Sequence, residues 1–147
     1  MPLEENGKNL AILRRLRRLG IRIAMDDFGT GHSSLSYLQS FPFDKIKLDR
    51  CFVKDLPGRQ EAQAIVQAVA GLGATLGITT TAEGIQTEEQ LTTLRATGYD
   101  EIQGYLFSRP VPARQVVATI HACRRKMGRL IKEPCWLQQE EASTGQG

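Results

Sequence analysis

Apolar residues along the chain follow helical spacing in some segments and form β-branched runs in others, in regular alternation. Ile12, Leu16 and Leu19 form the first helical stripe, and Gly20 ends that helix. Similar stripes predict helices at 9–19, 60–76 and 113–130, with a shorter helix between 87 and 98. The intervening runs predict strands at 21–25, 45–49, 78–82 and 100–106.

This order of strands and helices is typical of a parallel α/β architecture. The carboxyl ends of parallel strands lie at one rim, and barrel enzymes build their active sites there. Each predicted strand carries unusual polar residues at or near that end: Asp26, Asp27, Lys47, Asp49, Glu83 and Gln103. The sequence therefore predicts a single rim that bears carboxylates, an amine and an amide.

These groups suit a hard cation and a phosphate. Carboxylate oxygens favour magnesium or manganese over zinc, and a lysine amine offers a point charge to an anionic substrate. Each residue also has an ordinary structural explanation, because acids that follow a strand often cap the next helix or loop. Asp49 could pair with Arg50 or Lys47, and Gln103 could be a half-buried amide. The coincidence at four strand ends favours the functional interpretation.

The composition is that of one globular domain. The 147 residues are 41% hydrophobic and 24% charged, with a net charge of +3. That charge is too small to indicate nucleic-acid binding. The basic run at 14–18 lies on an amphipathic helix without interleaved aromatic residues, so a solvated helix face is favoured over a nucleic-acid patch. We expect no nucleic-acid polymer as a partner.

Three cysteines without CxxC spacing argue against a disulfide framework or a zinc site and fit a reducing compartment. The polar N-terminus is not typical of a signal peptide. No apolar run approaches the ~20 residues of a membrane span. We expect a cytoplasmic segment without membrane contact, while the parent protein could be membrane-anchored.

The loop after the paired aspartates is rich in glycine. The run 29–31 could cradle a phosphate, but it lacks the Walker lysine and the helix of a dinucleotide fingerprint. A rigid loop that positions Asp26 and Asp27 is the favoured interpretation. His32 has no metal-type partner nearby in the sequence and is interpreted as a loop residue.

The chain contains four recognisable motifs: DDFGTGHSSL at 26–35, KIKLDRCFV at 45–53, AEGIQT at 82–87 and QGYLF at 103–107. Together they resemble the EAL domain family, in the family's order and at similar spacing. The resemblance covers about residues 3 to 130. It implies a TIM-like barrel that hydrolyses cyclic-di-GMP to the linear dinucleotide pGpG with two magnesium or manganese ions. It predicts a partial TIM-like (β/α) barrel here, about four C-terminal strand–helix units within residues 1–132, followed by a flexible tail at 133–147.

The resemblance also implies roles for individual residues. Asp26 would bridge both metals, and Asp27 and Glu83 would complete the shell of one of them. Lys47 would hold or activate the attacking water, and Gln103 would support the site. The loop with Phe28, Gly29, Thr30 and Gly31 would position the metal ligands, and in the family it often contributes to dimerisation. Asp49 and Gln86 are further candidate substrate or loop residues.

Three departures from the family pattern limit this carry-over. The Glu-Ala-Leu strand, an asparagine ligand and a second glutamate ligand are expected upstream of residue 1, which leaves Asp26 alone for the other metal. Gln86 stands where active members usually have a glutamate that anchors the catalytic loop, and His32 replaces a tyrosine. We therefore expect a truncated chain that is inactive alone, and a partner that is either a second copy or the missing N-terminal half.

The leading function is cyclic-di-GMP phosphodiesterase, exercised by the parent domain. The alternative is a catalytically inactive EAL relative that binds cyclic-di-GMP or a protein as a regulator. Asp26, Asp27, Lys47 and Glu83 favour the enzyme, whereas Gln86 and the missing ligands favour the regulator. A weaker third interpretation is a nucleic-acid-binding fragment, which rests on the arginine run alone.

Overall fold

The structure is a computed structural model that describes residues 3–30 and 35–130. These residues form two compact units, of which the first ends at Leu106 and the second begins at Phe107. The helices of the first unit are α1 (Leu3–Arg18), α2 (Leu35–Ser40), α3 (Arg50–Val53), α4 (Gln60–Leu76) and α5 (Glu88–Thr97). Its strands are β1 (Ala24–Phe28), β2 (Lys45–Leu48), β3 (Thr79–Glu83) and β4 (Glu101–Gln103).

The four strands form one parallel sheet in the order β1-β2-β3-β4. Each strand therefore lies beside its sequence neighbour, and the connections between them carry helices, as parallel pairing requires. Lys47 is level with Thr81, and Glu83 is level with Gln103. The predicted α/β class with a parallel sheet is confirmed, and all four carboxyl ends lie at one edge.

The two faces of the sheet differ in character. Ile46 and Leu48 of β2 are fully buried, and they alternate with the half-buried Lys45 and Lys47 on the opposite face. Val66 of α4 is also buried, with the buried Tyr99 hydroxyl donating to its carbonyl at 3.1 Å. The apolar face thus packs against helices, and the other face presents polar side chains.

Two helices follow local signals closely. α4 has the bounds predicted from its apolar stripe, and it ends at Gly77, whose φ of 65° is left-handed. Thr87 caps α5 by accepting from the Gln90 amide at 3.2 Å, and the Gln90 side chain accepts in return from the Thr87 amide. The predicted capping box is confirmed, because its geometry depends only on residues within one turn.

The strand boundaries differ from those predicted. The first strand was predicted at 21–25 but begins at Ala24, because the Ile23 amide donates to the Asp44 carboxylate at 2.7 Å and pairing with β2 starts one residue later. The fourth strand is shorter than predicted. Before the strand, the Asp100 carboxylate accepts from the Thr80 amide at 2.7 Å. After the strand, the Leu106 amide donates to the Ile85 carbonyl.

Further differences concern helices. α1 begins at Leu3 rather than residue 9, and the short helices α2 and α3 have no counterpart in the periodicity. The second unit contains a 3-10 turn, Ala113–Gln115, followed by α6 (Val116–Leu130), where a single helix was predicted. Gly31, His32 and the predicted tail lie outside the described residues. No helix within the described ranges is long and apolar enough to cross a membrane.

Candidate metal and phosphate site

Three carboxylates meet at the carboxyl edge of the sheet. Asp26 and Asp27 come from β1 and Glu83 is the last residue of β3. Each offers an oxygen atom, and these oxygens all lie within 4.8 Å of one another. The two aspartates are exposed and the glutamate is half-buried. The predicted convergence of these side chains at one rim is therefore observed.

The backbone of Asp27 explains how two consecutive residues can serve one site. Neighbouring side chains of a regular strand point to opposite faces. Asp27 has a φ of 51°, and the pairing of β1 with β2 shifts register between Met25 and Phe28. This bulge turns the Asp27 carboxylate toward the same cluster as Asp26. Aspartate is among the few non-glycine residues that tolerate this conformation.

Lys47 lies on β2, between the two strands that carry the acids. Its amine is 2.6 Å from the Glu83 carboxylate and 3.1 Å from the Asp26 carboxylate. The hydrogen bond to Glu83 raises the pKa of Lys47, partial burial opposes this, and Asp26 adds to it. The amine is therefore a permanent positive charge at this rim and can donate a hydrogen bond.

Asp49 caps a helix, which is a role expected of an acid that follows a strand. Its carboxylate accepts from the Cys51 amide at 2.7 Å and so caps α3. Hydrogen bonding by the Cys51 side chain lowers the pKa of Asp49, and the bond from the Cys51 amide adds to this. Asp49 forms no ion pair with Arg50 or Lys47 among the described residues. It also lines the cavities beside the cluster, so it shapes the surroundings of the site.

The loop after β1 is held by short-range contacts. Phe28 is buried. Gly29 has a φ of 98°, and a Cβ there would come within 2.6 Å of the Phe52 ring, so this position favours glycine. The Thr30 hydroxyl donates to the Asp27 carbonyl at 2.9 Å. This turn fixes the backbone directly after Asp27. The loop continues through Gly31, which lies outside the described residues.

Gln103 and Gln86 lie farther along the same edge. Gln103 is exposed and lines a cavity of about 330 Å³ together with Glu83 and Tyr105. Gln86 is exposed as well and lines that cavity and a neighbouring one of about 540 Å³. The 28–30 loop does not line either cavity. The structure thus brings Gln103 beside the carboxylates and places Gln86 toward α3.

Arg50 also lies at this edge, and from the sequence it was recognisable only as a possible partner of Asp49. It lies at the start of α3, is exposed, and lines both cavities. Its position directly after the β2 strand end was the available signal. That signal is weak in sequence, because the direction of the side chain depends on the turn into α3.

The donor set at the rim fits a hard divalent cation. All three grouped ligands are carboxylates, with oxygens close enough to bind one ion. Oxygen ligands suit magnesium and manganese, and the set contains no thiolate or imidazole that would favour zinc. The residues present therefore fit the metal that the sequence predicted.

The structure is that of an α/β protein with a carboxylate cluster at the carboxyl edge of a parallel sheet, which is where barrel enzymes carry their active sites. The family profile of the EAL domain matches residues 2–110. The chain therefore belongs to the EAL domain family, and its sheet is part of that family's TIM-barrel-like fold. The resemblance inferred from the four motifs is confirmed.

Curated relatives support the same assignment. The chain is 57% identical over 118 residues to the uncharacterized protein y4lL of Sinorhizobium fredii, with 80% of this chain and 14% of that protein covered. It is 42% identical over 117 residues to the cyclic di-GMP phosphodiesterase NbdA of Pseudomonas aeruginosa, with 80% and 15% covered. The chain thus spans about one seventh of the length of these relatives.

Solved structures agree in fold. The PaMucR phosphodiesterase in complex with c-di-GMP has a TM-score of 0.71 at 41% identity, with 78% of this chain and 46% of that chain covered. The manganese and c-di-GMP complex of Klebsiella pneumoniae BlrP1 at pH 9.0 has a TM-score of 0.65 at 45% identity, with 68% and 26% covered. Both similar proteins are thus known with cyclic-di-GMP bound, and one of them with manganese.

Proposed function

We propose that this chain supplies half of the catalytic rim of a phosphodiesterase that hydrolyses cyclic-di-GMP to linear pGpG with two magnesium or manganese ions. The observation that carries the proposal is the Asp26, Asp27 and Glu83 cluster, with the Lys47 amine between its acids. The c-di-GMP and manganese complexes of similar proteins support the substrate and the metal.

The reaction consumes one water. Water attacks one phosphorus atom, the bond from that phosphorus to the 3′ oxygen breaks, and the 3′ oxygen gains a proton. Asp26, Asp27 and Glu83 would hold the divalent ion, which supplies charge stabilisation and lowers the pKa of water. Lys47 stabilises the negative charge that develops on the phosphoryl oxygens. Gln103, beside Glu83, supports the site, and the turn at Thr30 positions Asp27.

Counting ligands leads us to propose that these residues need a complementary half. The three carboxylates would supply part of one metal shell. By resemblance to the family, Asp26 alone would also bind a second ion. One carboxylate with water is a weak magnesium site, and two-metal hydrolysis requires both ions about 4 Å apart. The partner would be the N-terminal half of an EAL barrel or a second copy of this chain. We propose that the chain alone is inactive.

A regulator that binds cyclic-di-GMP without hydrolysing it is the second candidate. The observation that favours it is Gln86, a neutral residue where active members usually have glutamate. We propose that Gln86 weakens the anchoring of the 26–31 loop and lowers turnover. Restoring the complementary half decides between the two candidates, because a regulator would bind the dinucleotide and release no product.

The extent and location of the unit complete the proposal. Residues 1–132 would form the EAL half-domain, and 133–147 would be its tail. A cytoplasmic location is proposed from cysteine usage, since Cys51 and Cys123 are both free thiols.

The decisive experiment measures pGpG release with manganese. The chain is assayed alone and together with the portion of the PaMucR phosphodiesterase that it does not match. We expect turnover only from the pair, and its loss in Asp26→Ala. Turnover by the chain alone that Asp26→Ala abolishes would contradict the ligand count and identify a homodimer that completes the site. No turnover, with retained binding, would favour the regulator.

A further inference from the structure

A groove leads away from the carboxylate cluster along the edge of the sheet. It consists of two adjoining cavities, of about 330 and 540 Å³, that share Asp49, Arg50, Gly84 and Gln86. The inner cavity reaches Glu83 and Gln103, at the metal site described above. The outer cavity is lined by Asp49, Arg50, Cys51, Lys54, Gly84, Gln86 and Gln90. We call the two cavities together the Arg50 groove.

The charges in the Arg50 groove favour an anion. Lys47 is engaged by Asp26 and Glu83, whereas the Arg50 guanidinium forms no hydrogen bond or ion pair within residues 3–30 and 35–130. Lys54 adds a second positive charge at the outer end. The Asp49 carboxylate is the negative group of the outer cavity and also lines the inner one, and it accepts a hydrogen bond from the Cys51 amide.

The base of the Arg50 side chain is held in place. Asp49 caps the helix that begins at Arg50. The backbone of the turn after β3 lies against it, since a Cβ at Gly84 would be 2.4 Å from the Arg50 Cβ. Gly84 has a φ of 77°, so this close approach is part of a turn that suits glycine. The Cβ of Arg50 is thus fixed in position between the two cavities, and the guanidinium extends from it.

We infer that Arg50 binds the second, non-reacting phosphate of a cyclic dinucleotide whose other phosphate lies at Asp26, Asp27 and Glu83. The inference rests on the proposed function. A guanidinium is planar and donates two parallel hydrogen bonds to a phosphate. A second phosphate site of this kind distinguishes a cyclic dinucleotide, which has two phosphates, from a ligand with one phosphate. Arg50 is therefore a determinant of specificity for dinucleotides, separate from the metal ligands.

Gln86 contributes through its lack of charge. The outer cavity holds Arg50 and Lys54 against Asp49, and so retains a positive charge. A glutamate at position 86 would neutralise that charge beside the guanidinium. Gln86→Glu should therefore weaken binding of the dinucleotide, even where it raises turnover by anchoring the 26–31 loop. The loss of charge complementarity is measured as a lower affinity, and the anchoring of the loop is measured as a higher turnover.

The test uses the full 147-residue chain, labelled with ¹⁵N and combined with the unlabelled complementary PaMucR portion, in calcium, the ion present in one BlrP1 c-di-GMP complex. Cyclic-di-GMP and GMP are titrated separately, and the arginine Nε–H and backbone amide resonances are followed by NMR. We expect cyclic-di-GMP to shift the Arg50 side-chain and Gly84 amide resonances, and GMP to shift the 26–27 region alone. NMR also reports whether each variant is folded.

The variants separate the Arg50 groove from general charge effects. We expect Arg50→Gln to weaken cyclic-di-GMP binding by at least about tenfold and to leave GMP affinity unchanged. Arg50→Lys should recover part of the loss, and Gln86→Glu should cost several-fold, more at low salt. The control Arg95→Gln removes an exposed arginine of α5 outside the groove and should change neither ligand.

Two outcomes would overturn the inference, and they are distinguishable. Equal dinucleotide affinity in Arg50→Gln and the unchanged chain contradicts the second phosphate site and leaves the proposed function standing. Dinucleotide binding that does not depend on calcium or on Asp26 contradicts the proposed function and this inference together. Absence of binding by the unchanged chain combined with the PaMucR portion, at millimolar ligand, contradicts both as well.

Discussion

Asp27 combines an unusual backbone conformation with a proposed chemical role. Its φ of 51° turns a second carboxylate of β1 into the cluster with Asp26 and Glu83. Residues in such conformations cluster at functional sites, where the surrounding structure holds them in place. Here the register shift after Met25 and the turn at Thr30 do so.

Replacing Asp27 separates its two roles. Asparagine tolerates the same φ, so Asp27→Asn should leave the thermal midpoint nearly unchanged, while manganese affinity falls by at least about tenfold with the lost ligand charge. Titration calorimetry with manganese and a thermal melt check the two expectations. Asp55→Asn is the control, because Asp55 pairs with Arg59 outside the cluster. Unchanged manganese affinity in Asp27→Asn would remove this residue from the metal site.

Glu101 gives a prediction that depends on pH. The hydrogen bond from Lys45 lowers the pKa of Glu101, and the Thr81 hydroxyl adds to this. The ion pair therefore stabilises the fold above the unfolded pKa of about 4.3 and loses its effect as pH falls through the lower folded value. Because the side chain is 46% exposed, we expect Glu101→Gln to lower the free energy of unfolding by less than about 1 kcal/mol at pH 7.

The measurement is urea unfolding of the chain and Glu101→Gln across pH 3 to 7. The difference between the two should disappear at the acid end, since both side chains are then neutral. A difference that stays constant across this range would show that the hydrogen bond, rather than the charge, carries the effect.

At the scale of elements, α4 packs against β3 through a glycine. A Cβ at Gly73 would come within 2.2 Å of the Thr80 methyl and 3.0 Å of the Ile78 carbonyl oxygen, whereas a Cβ at Gly71 would meet nothing within 4 Å. Both glycines lie in the helix interior. The helix therefore offers a matched pair, in which the same substitution has opposite expected effects.

We expect Gly73→Ala to lower the free energy of unfolding by about 1–3 kcal/mol, because it forces the helix away from the sheet. Gly71→Ala should raise it by roughly 0.5–1 kcal/mol, because alanine is the better helix former. Urea denaturation of the two variants checks both signs. Equal effects would mean that α4 does not approach β3 as closely as the structure describes.

At the scale of the whole molecule, the sheet has two free edges. Within the described residues, the outer edges of β1 and β4 pair with no further strand. Unpaired strand edges bind other chains, and a parallel sheet is normally covered on both sides. Ile12 lies in α1, and Leu19 and Ile21 lie in the segment between α1 and β1. All three side chains are exposed.

We therefore expect the chain alone to self-associate as its concentration rises. Light scattering should show a growing mass for the chain, and a defined one-to-one complex when the complementary PaMucR portion is added. Ala24→Lys places a charge in the exposed edge strand and should reduce self-association. A monomer at all concentrations would contradict the proposal that these edges require a partner.

Local signals in the sequence were sufficient to predict α4 and α5 and to identify the acids at the rim. A helix stripe, a capping box and a terminal glycine act within one or two turns, so their outcome does not depend on distant residues. The acids were recognisable because each follows a β-branched run, and parallel strands place such positions at one edge. The four-motif resemblance then identified the family.

Contacts between distant segments decided the rest. The bulge that turns Asp27 toward Glu83, the start of β1 at Ala24, and the two partners of Lys47 all depend on how β1, β2 and β3 align. Strand register and side-chain direction are properties of the assembled sheet, and a shift of one residue moves a side chain to the opposite face. For the same reason the position of Arg50 beside Gly84 emerged only from the tertiary structure.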